Sequence, residues 1–236
     1  MPAYNEEASI REIITKVDRI LQETALKYEL IIVDDGSNDE TRMRIINSFQ
    51  SNGNLKVVGY PVNQGKGYAI KREFSHACGD AVIFLDSDLD IDPGQILSYI
   101  RALKYGDLVV ASKYHPQSVI EVPFLRRFLS YGFNLLVQLL TGLRVHDTQT
   151  GLKAVRRKEL EPVFSVLLTR RFAFDVELLS VANLYGLKII ELPVTMGLSN
   201  VFFSPFQIWR MFIDTLSITY RLRVIKLYNE LLFSKD

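Results

Sequence analysis

Four aspartates stand at alternate positions directly after an apolar run in the middle of the chain. The run spans residues 81–85, and the aspartates are Asp86, Asp88, Asp90 and Asp92. Five consecutive apolar residues are typical of a strand that is buried on both faces. Carboxylates crowded at the end of such a strand repel one another unless a cation or hydrogen-bond donors compensate. The pattern therefore suits a Mg²⁺ or Mn²⁺ site, because both ions prefer oxygen ligands.

A simpler interpretation is an acidic turn that caps the next helix. Asp92 precedes Pro93, and this pair has the form of an N-cap followed by proline at the first helical position. A cap accounts for Asp92 but leaves Asp86 and Asp88 without a role. The stretch alone does not decide between the two interpretations.

Length and composition narrow the class of protein. A chain of 236 residues can bury a sizeable core, and one domain is the default. The net charge of +1 creates no overall field that would attract nucleic acid. The single cysteine, Cys78, excludes an internal disulfide and fits a reducing compartment. We expect no signal peptide and no membrane span, since the longest uncharged run, residues 128–143, is too short and contains polar side chains.

Apolar runs and amphipathic stretches alternate along the first two hundred residues. Strands are predicted at 30–33, 55–58, 81–85, 108–111 and 187–192, and helices at 5–21, 39–49, 63–76, 93–103 and from 172 onward. This alternation predicts an α/β fold with a doubly wound, mostly parallel sheet. Ligands bind such sheets at the carboxyl ends of the strands, where Asp34–Asp35, Gly65–Gly67 and Asp86–Asp90 all fall.

The N-terminal end of the predicted alternation is unusual. A helix that begins at residue 5 has no strand before it, although the alternation would place a buried strand there. We therefore expect the first strand to be missing.

Two segments combine apolar, aromatic and basic residues. Residues 118–145 suit an amphipathic segment at a membrane interface, and a helical hairpin that packs on the sheet or dimerises is the alternative. Residues 202–233 have a similar composition, and Trp209, Tyr220 and Tyr228 would suit a lipid headgroup layer, with core packing as the alternative. We divide the chain into a catalytic domain, 1–195, which includes the segment 118–145, and a C-terminal helical segment, 196–236.

The glycine-rich stretch Asn63-Gln-Gly-Lys-Gly67 is a candidate phosphate site. At a helix N-terminus it would offer backbone N–H groups and the cation of Lys66. It matches neither the P-loop nor the dinucleotide fingerprint, and glycines at such a turn are often structural. The stretch Asp34-Asp35-Gly36-Ser37 is equally ambiguous, because one aspartate could bond a base or ribose while the other caps a helix.

The combination of motifs indicates a family more specifically than any single motif does. Four of them, in this order and spacing, resemble the family 2 glycosyltransferases: Pro2-Ala-Tyr-Asn-Glu-Glu7, Val33-Asp-Asp-Gly-Ser37, Asn63-Gln-Gly-Lys-Gly67 and Asp86-Ser-Asp88. Two later motifs, at 147–153 and 171–179, resemble the branch that makes polyprenyl-phosphate sugars, including the dolichyl-phosphate glucose and mannose synthases. The resemblance covers roughly residues 2–195 and implies a GT-A-like nucleotide-sugar-binding fold.

The resemblance also implies site residues. The nucleotide-sugar pocket would contain Pro2, Tyr4, Glu6, Asp34, Asp35, Lys66 and Asp86. The metal, Mg²⁺ or Mn²⁺, would lie by Asp86, Asp88 and Asp90, with Asp88 as the direct ligand. The acceptor would meet Lys113, Arg126, Arg127 and Gln149, with support from Asp175 or Glu177. Asp86, Asp88 and Asp147 would be the catalytic residues. Lys113 stands where many relatives have Ser-Arg, and lysine lacks the bidentate phosphate geometry of arginine.

The implied activity is an inverting transfer of a hexose from UDP-glucose or GDP-mannose to dolichyl or polyprenyl phosphate. Glucose is favoured over mannose by the later motifs. The protein would act peripherally on the cytoplasmic face of a membrane, with the membrane surface but no nucleic acid as a partner. One alternative is a family 2 enzyme with a sugar hydroxyl as acceptor and Asp147 or Asp175 as its base. The other is a nucleotide-sugar-binding module without activity, against which Lys66, Asp86 and Asp88 argue.

Overall fold

The computed structural model describes residues 1–49, 53–121, 124–197 and 205–233. The strands are β1 (Pro2–Ala3), β2 (Leu30–Asp34), β3 (Leu55–Gly59), β4 (Ala81–Phe84), β5 (Leu108–Ser112), β6 (Val119–Ile120), β7 (Lys153–Arg156), β8 (Ile189–Pro193) and β9 (Thr195–Met196). The α-helices are α1 (Ile10–Gln22), α2 (Thr41–Phe49), α3 (Lys66–His76), α4 (Ile96–Ala102), α5 (Phe124–Thr141), α6 (Arg157–Val166), α7 (Phe174–Leu184), α8 (Pro205–Thr219) and α9 (Leu227–Phe233). A 3₁₀ turn, Pro93–Gln95, precedes α4, and a π-helical turn, Tyr220–Val224, follows α8.

The strands pair mainly in parallel. β1, β2 and β3 form a parallel set, and β4, β7, β5 and β8 form a second sheet in that order. Within it β5 is parallel to β8, with Val109 opposite Ile190, whereas β7 is antiparallel to both β4 and β5. The predicted α/β fold with a doubly wound, mostly parallel sheet is confirmed. The antiparallel insertion of β7 was not predicted, because no strand was assigned between residues 111 and 187.

The prediction that the first strand is missing is wrong. Pro2 and Ala3 form β1, which pairs in parallel with Val33 and Asp34 of β2. The following helix begins at Ile10 rather than at residue 5. Residues 5–9 form turns instead, because their polar groups bond to the loop after β2 and to the start of α2. Asn5 N donates to Ser37 Oγ at 3.0 Å, and Glu6 N donates to Thr41 Oγ1 at 2.7 Å.

The two amphipathic segments are mainly helical where the structure describes them. Residues 118–145 contain the short strand β6 and the long helix α5, and residues 205–233 contain α8, the π-helical turn and α9. Predicted residues 198–204 and 234–236 lie outside the described part. Among the helices of the described ranges, none combines the length and apolarity that crossing a membrane requires. The division at residue 195 stays a prediction; β9, residues 195–196, pairs with β6.

The core has two layers, one on each face of the sheet. On β5, Leu108 and Val110 belong to one buried cluster, whereas Val109 and Ala111 belong to the other. This alternation follows from the two-residue period of a strand, and both faces are apolar because helices cover both. The strand ends are therefore the exposed places where polar side chains can gather.

Phe164 of α6 is central to one layer. Its ring stacks on Phe74 of α3 with centroids 3.7 Å apart, and it lies 5.8 Å from the ring of Phe84 and 6.0 Å from that of Phe174. These contacts join α3, β4, α6 and α7 beneath the strand ends. Aromatic packing of this kind adds to the free energy gained by burying the rings.

We expect Phe164→Ala to lower the free energy of unfolding by about 3–5 kcal/mol, because it leaves a cavity between three aromatic rings. Leu139→Ala on α5 is the control, since Leu139 is 70% exposed and exposed substitutions usually stay within about 0.5 kcal/mol. Urea denaturation of both variants measures the difference. Equal stability of the two variants would show that Phe164 is not central to the core.

Candidate functional site

The aspartates at the end of β2 hold the neighbouring loops. Asp34 Oδ1 accepts a hydrogen bond from Ser37 N at 3.0 Å. Asp35 Oδ1 accepts from Gln64 N at 2.7 Å, and its Oδ2 accepts from Gly65 N at 2.9 Å. Asp35 thus fixes the start of α3 across the sheet. Both carboxylates are buried, and their predicted place near the base and ribose stays a prediction.

Lys66 and Asp86 meet at the centre of the candidate site. Lys66 is the first residue of α3, and its Nζ lies 2.7 Å from Asp86 Oδ2, just beyond the end of β4. Burial alone would raise the pKa of Asp86, but the charges of Lys66 and Lys153 hold it below its usual value. Asp86 is therefore ionised, and two motifs that are twenty residues apart form one ion pair.

Gly151 lies directly against Asp86. A Cβ atom at Gly151 would be 2.0 Å from Asp86 Oδ2, so only glycine leaves room for this carboxylate. Residues 147–151 are thereby placed on the same site as Lys66. Glycine at the end of that polar turn is the one sequence signal for this contact.

Further carboxylates crowd the region around Asp86. Asp88 Oδ1 accepts from Asp90 N at 3.0 Å. Burial, with the charges of Asp86 and Asp90, raises the pKa of Asp88 to about 7. Burial also raises the pKa of Glu6, although Ser9 Oγ donates to Glu6 Oε2 at 2.7 Å, and the same two aspartates add to the rise. The structure thus brings together predicted residues from the first and fourth motifs.

This excess of negative charge fits a cation. Within the described ranges, no group of three or more His, Cys, Asp or Glu side chains is arranged to hold a metal ion. A Mg²⁺-type ion needs only one or two carboxylates when phosphate oxygens and water complete its shell. Asp86 is engaged with Lys66, whereas Asp88 makes no ion pair among the described residues. The predicted set Asp86, Asp88 and Asp90 stays a prediction, with Asp88 best placed in it.

Asp147 organises the turn that contains it. Its Oδ2 accepts from Lys113 N at 2.9 Å and from Thr150 Oγ1 at 2.6 Å, and its Oδ1 accepts from Gln149 N at 3.0 Å. Burial alone would raise the pKa of Asp147, but the charge of Lys113, whose Nζ is 3.7 Å away, and the hydrogen bonds lower it. Lys113, which follows β5, is therefore held against the turn that contains Asp147 and Gln149, and all three are predicted site residues.

Of the remaining predicted residues, Pro2 lies beside the aspartates, whereas Tyr4 and Arg127 are exposed. Pro2 is in β1, where its carbonyl oxygen accepts from Ser87 Oγ at 2.8 Å. Tyr4 is exposed, and Arg127 is exposed on α5. The side chain of Arg126 lies outside the described part. No ion pair among the described residues joins Arg127 to the turn of Asp147.

Asn134 connects α5 to the site and was not predicted. Its Oδ1 accepts from Thr148 N at 3.1 Å and from Thr148 Oγ1 at 3.0 Å, and its Nδ2 donates to Ser130 O at 3.0 Å. Asn134 is buried although it lies in a helix dominated by apolar residues. The available sequence signal was an amide side chain within a largely apolar helix.

Lys153 is the second residue that sequence reasoning missed. Its Nζ lies 2.8 Å from Asp175 Oδ1 and donates to Thr150 O at 2.7 Å, with both side chains almost fully buried. A buried pair of this kind is stable only when each charge has a partner. The pair ties α7 to the turn of Asp147. Its signal was a lysine opening a short apolar strand.

Comparison with known proteins identifies the class. The family model described as Glycosyl transferase family 2 matches residues 1–164. The chain belongs to this family, as the motifs predicted.

Several similar proteins of the family are named as dolichyl-phosphate glycosyltransferases. The chain is 32% identical to a dolichyl-phosphate beta-glucosyltransferase of Dictyostelium discoideum over 82% of this chain and 64% of the relative. It is 30% identical to a human protein of the same name, over 82% and 65%. It is 31% identical to a dolichol-phosphate mannosyltransferase of Pyrococcus furiosus, over 84% and 55%. The chain spans less than two thirds of the length of these relatives.

The fold has solved counterparts. Glucosyl-3-phosphoglycerate synthase of Mycobacterium tuberculosis, solved with Mn²⁺ and UDP-glucose, superposes with a TM-score of 0.70 at 23% identity. The match covers 93% of this chain and 76% of that one. The likeness supports the GT-A-like fold.

The raised pKa of Asp88 predicts a pH-dependent effect of Asp88→Asn on stability. A carboxyl whose folded pKa is about 7, against about 4 unfolded, costs the folded state stability as pH rises between those values. Asparagine removes this cost and can still accept the bond from Asp90 N. With a chelator present, the variant should melt above wild type at pH 8, by a larger margin than at pH 5. An equal margin at both pH values would contradict the proposed origin of the shift.

Proposed function

We propose that this chain is an inverting glycosyltransferase that moves a hexose, preferably glucose from UDP-glucose, to dolichyl or another polyprenyl phosphate. Family membership supports the reaction type, and the names of the relatives support the acceptor. GDP-mannose is the second donor, on the basis of the mannosyltransferase among the relatives. The observation that favours a phosphate acceptor within this family is that the candidate bases are already engaged.

Neither base candidate is available to a sugar hydroxyl. Asp147 accepts hydrogen bonds on both carboxylate oxygens, and its pKa is lowered, which weakens it as a base. Asp175 forms a buried ion pair with Lys153. A hydroxyl acceptor needs a base within hydrogen-bond reach of its proton. A phosphate monoester does not, because its second pKa of about 6 leaves it anionic near neutral pH.

The reaction is a direct displacement. An oxygen of the acceptor phosphate forms a bond to the anomeric carbon, and the bond from that carbon to the nucleoside diphosphate breaks. The electron pair of the broken bond leaves with the diphosphate, and attack from the opposite face inverts the anomeric centre. The Lys66 cation stands where it can stabilise the departing charge, held in place by Asp86.

A divalent cation, Mn²⁺ or Mg²⁺, would be held by Asp88, with Asp86 and Asp90 beside it. Bound there, it would neutralise charge on the diphosphate leaving group. The observation that supports it is the surplus of carboxylates at this place, which leaves Asp88 with a pKa of about 7. Binding a cation would favour its ionised form.

The acceptor phosphate would lie on the side of Lys113. The lysine is half-buried by Asp147, and Gln149 is in the same turn. Arg127 and Arg126 on the adjacent α5 would add positive charge as the lipid phosphate approaches. Asn134 would hold α5 against the turn that contains Asp147 and Gln149.

The lipid chain and the membrane would meet an apolar surface of α5 and α8. Its exposed members are Leu129, Tyr131, Leu135, Leu139, Phe206, Trp209, Ile213 and Leu216. Exposed apolar area of this extent is typical of an interaction site, and amphipathic helices with basic residues suit a lipid interface. We propose peripheral docking on the cytoplasmic face, which suits a chain with a single cysteine.

Asp88→Ala should abolish transfer of radiolabelled glucose from UDP-glucose into an organic-extractable lipid in the presence of dolichyl phosphate and Mn²⁺. We expect a loss of at least about 100-fold, as for other groups that stabilise developing charge. Asp92→Ala is the matched control. Asp92 belongs to the same acidic stretch but caps the 3₁₀ turn through Gly94 N, so its loss should cost about 1 kcal/mol of stability and leave transfer intact.

The outcomes separate the candidate functions. A labelled lipid from GDP-mannose alone would keep the reaction and change the donor. Folded wild type that binds or hydrolyses donor without making labelled lipid would reject the lipid phosphate acceptor, and a sugar acceptor would then be tested. Full activity of Asp88→Ala would reject the role of Asp88.

Trp209→Ala should weaken binding to phosphatidylcholine vesicles that contain anionic lipid by about tenfold, as expected from losing one inserted large apolar side chain. The control is Tyr105→Ala, because Tyr105 is equally exposed, at 61% against 60%, but follows α4 rather than lying on the α5–α8 surface. Vesicle sedimentation measures both. Equal loss for both variants, or none for either, would remove this surface from the proposal.

A further inference from the structure

Glu177 of α7 is a buried carboxylate for which the proposed reaction has no use. Its Oε2 accepts from Leu168 N at 3.0 Å and from Thr169 N at 2.7 Å. Its Oε1 accepts from the Tyr228 hydroxyl and lies 3.3 Å from an Arg221 guanidinium nitrogen. A fully buried charge with four donors is held rigidly, because losing any partner leaves charge uncompensated.

One side of this network reaches the nucleotide-sugar site. Leu168 and Thr169 lead directly into Arg170, whose carbonyl oxygen accepts from Tyr68 N at 3.0 Å. The same carbonyl would lie 2.6 Å from a Cβ atom on Gly65, so the loop presses against the start of α3. Lys66, which pairs with Asp86, is the first residue of that helix. Glu177 therefore holds the loop 168–170, which packs against the start of α3, where Lys66 lies.

The other side reaches the C-terminal helices. Arg221 lies in the π-helical turn after α8, and it also donates to Thr169 Oγ1 at 3.1 Å and to Ser217 O at 3.3 Å. Tyr228 of α9 is completely buried in the core, which corrects its predicted place in a lipid headgroup layer. The outer face of α8 carries the exposed apolar residues of the α5–α8 surface. One carboxylate thus fastens both the C-terminal segment and the loop behind the donor site.

We propose that Glu177 is a positioning residue that couples the placement of residues 205–233 to the nucleotide-sugar site. Displacing the C-terminal helices removes Arg221 and Tyr228 from Glu177, which frees the loop 168–170 and shifts the turn that presents Lys66. Coupling of this kind is reciprocal, so a bound donor holds the C-terminal helices in place. The inference rests on the proposed function only in taking the Lys66 site to bind a nucleotide sugar.

Tyr228→Phe tests the coupling with the smallest change. It removes the hydroxyl that donates to Glu177 and keeps the buried ring, whereas Glu177→Gln risks misfolding because it disturbs four donors at once. Tyr99→Phe is the matched control. Tyr99 is also fully buried, and its hydroxyl donates to Pro193 O at 2.9 Å in the other core cluster, away from the loop 168–170.

Two measurements on the full chain are compared: the affinity for UDP-glucose with Mn²⁺ by calorimetry, and amide hydrogen exchange of residues 65–70 and 167–172. We expect Tyr228→Phe to weaken UDP-glucose binding by about fivefold and to speed exchange in both segments. Tyr99→Phe should leave both segments and the affinity at wild-type values.

Unchanged exchange of residues 65–70 in Tyr228→Phe would overturn the coupling, and so would unchanged affinity where wild type binds the donor. Equal effects of Tyr99→Phe would also overturn it, because they would show a general loss of stability. If wild type binds neither UDP-glucose nor GDP-mannose, the proposed function fails, and the exchange of residues 65–70 still decides the coupling.

Discussion

The ion pair between Lys66 and Asp86 is the interaction on which the organisation of the site depends. A partly buried carboxylate such as Asp86 is stable when charges or donors compensate it, and here the compensation comes from distant parts of the chain. Asp35 fixes the loop before Lys66, Gly151 leaves room for Asp86, and Lys153 adds a second positive charge. The ends of β2 and β4, the start of α3 and the turn before β7 are therefore held together by one electrostatic requirement.

Much of this was predictable because it depends on local pattern. Buried strands reveal themselves as apolar runs, and the chemistry of a parallel sheet gathers at their carboxyl ends. From this pattern alone, Asp34, Lys66 and Asp86 are predicted to lie near one another. It failed for β7, which is four residues long, begins with a buried lysine and runs antiparallel. Such a strand is defined by its neighbours β4 and β5, not by its own composition.

The roles of single side chains were less predictable than their locations. Asp147 was predicted to be catalytic and Glu177 to support the acceptor site, and the structure adds that each carboxylate holds backbone N–H groups of a loop. Asn134 and Lys153 were missed for the same reason, since their partners lie 14 and 22 residues away in the chain. Residue type indicates that a buried polar group needs a partner, but only the fold decides which partner it finds.

The contrast between Asp88 and its neighbours carries the functional argument furthest. Asp86, Asp147, Asp175 and Glu177 all lie against a lysine or arginine. Asp88 forms no ion pair among the described residues, and burial beside Asp86 and Asp90 raises its pKa to about 7. Negative charge at Asp88 therefore destabilises the fold, whereas the four paired carboxylates are stabilised by their cations. A ligand that brings positive charge to that place stabilises the folded protein by mass action, so the instability at Asp88 and the proposed affinity for a cation with its diphosphate have the same electrostatic origin.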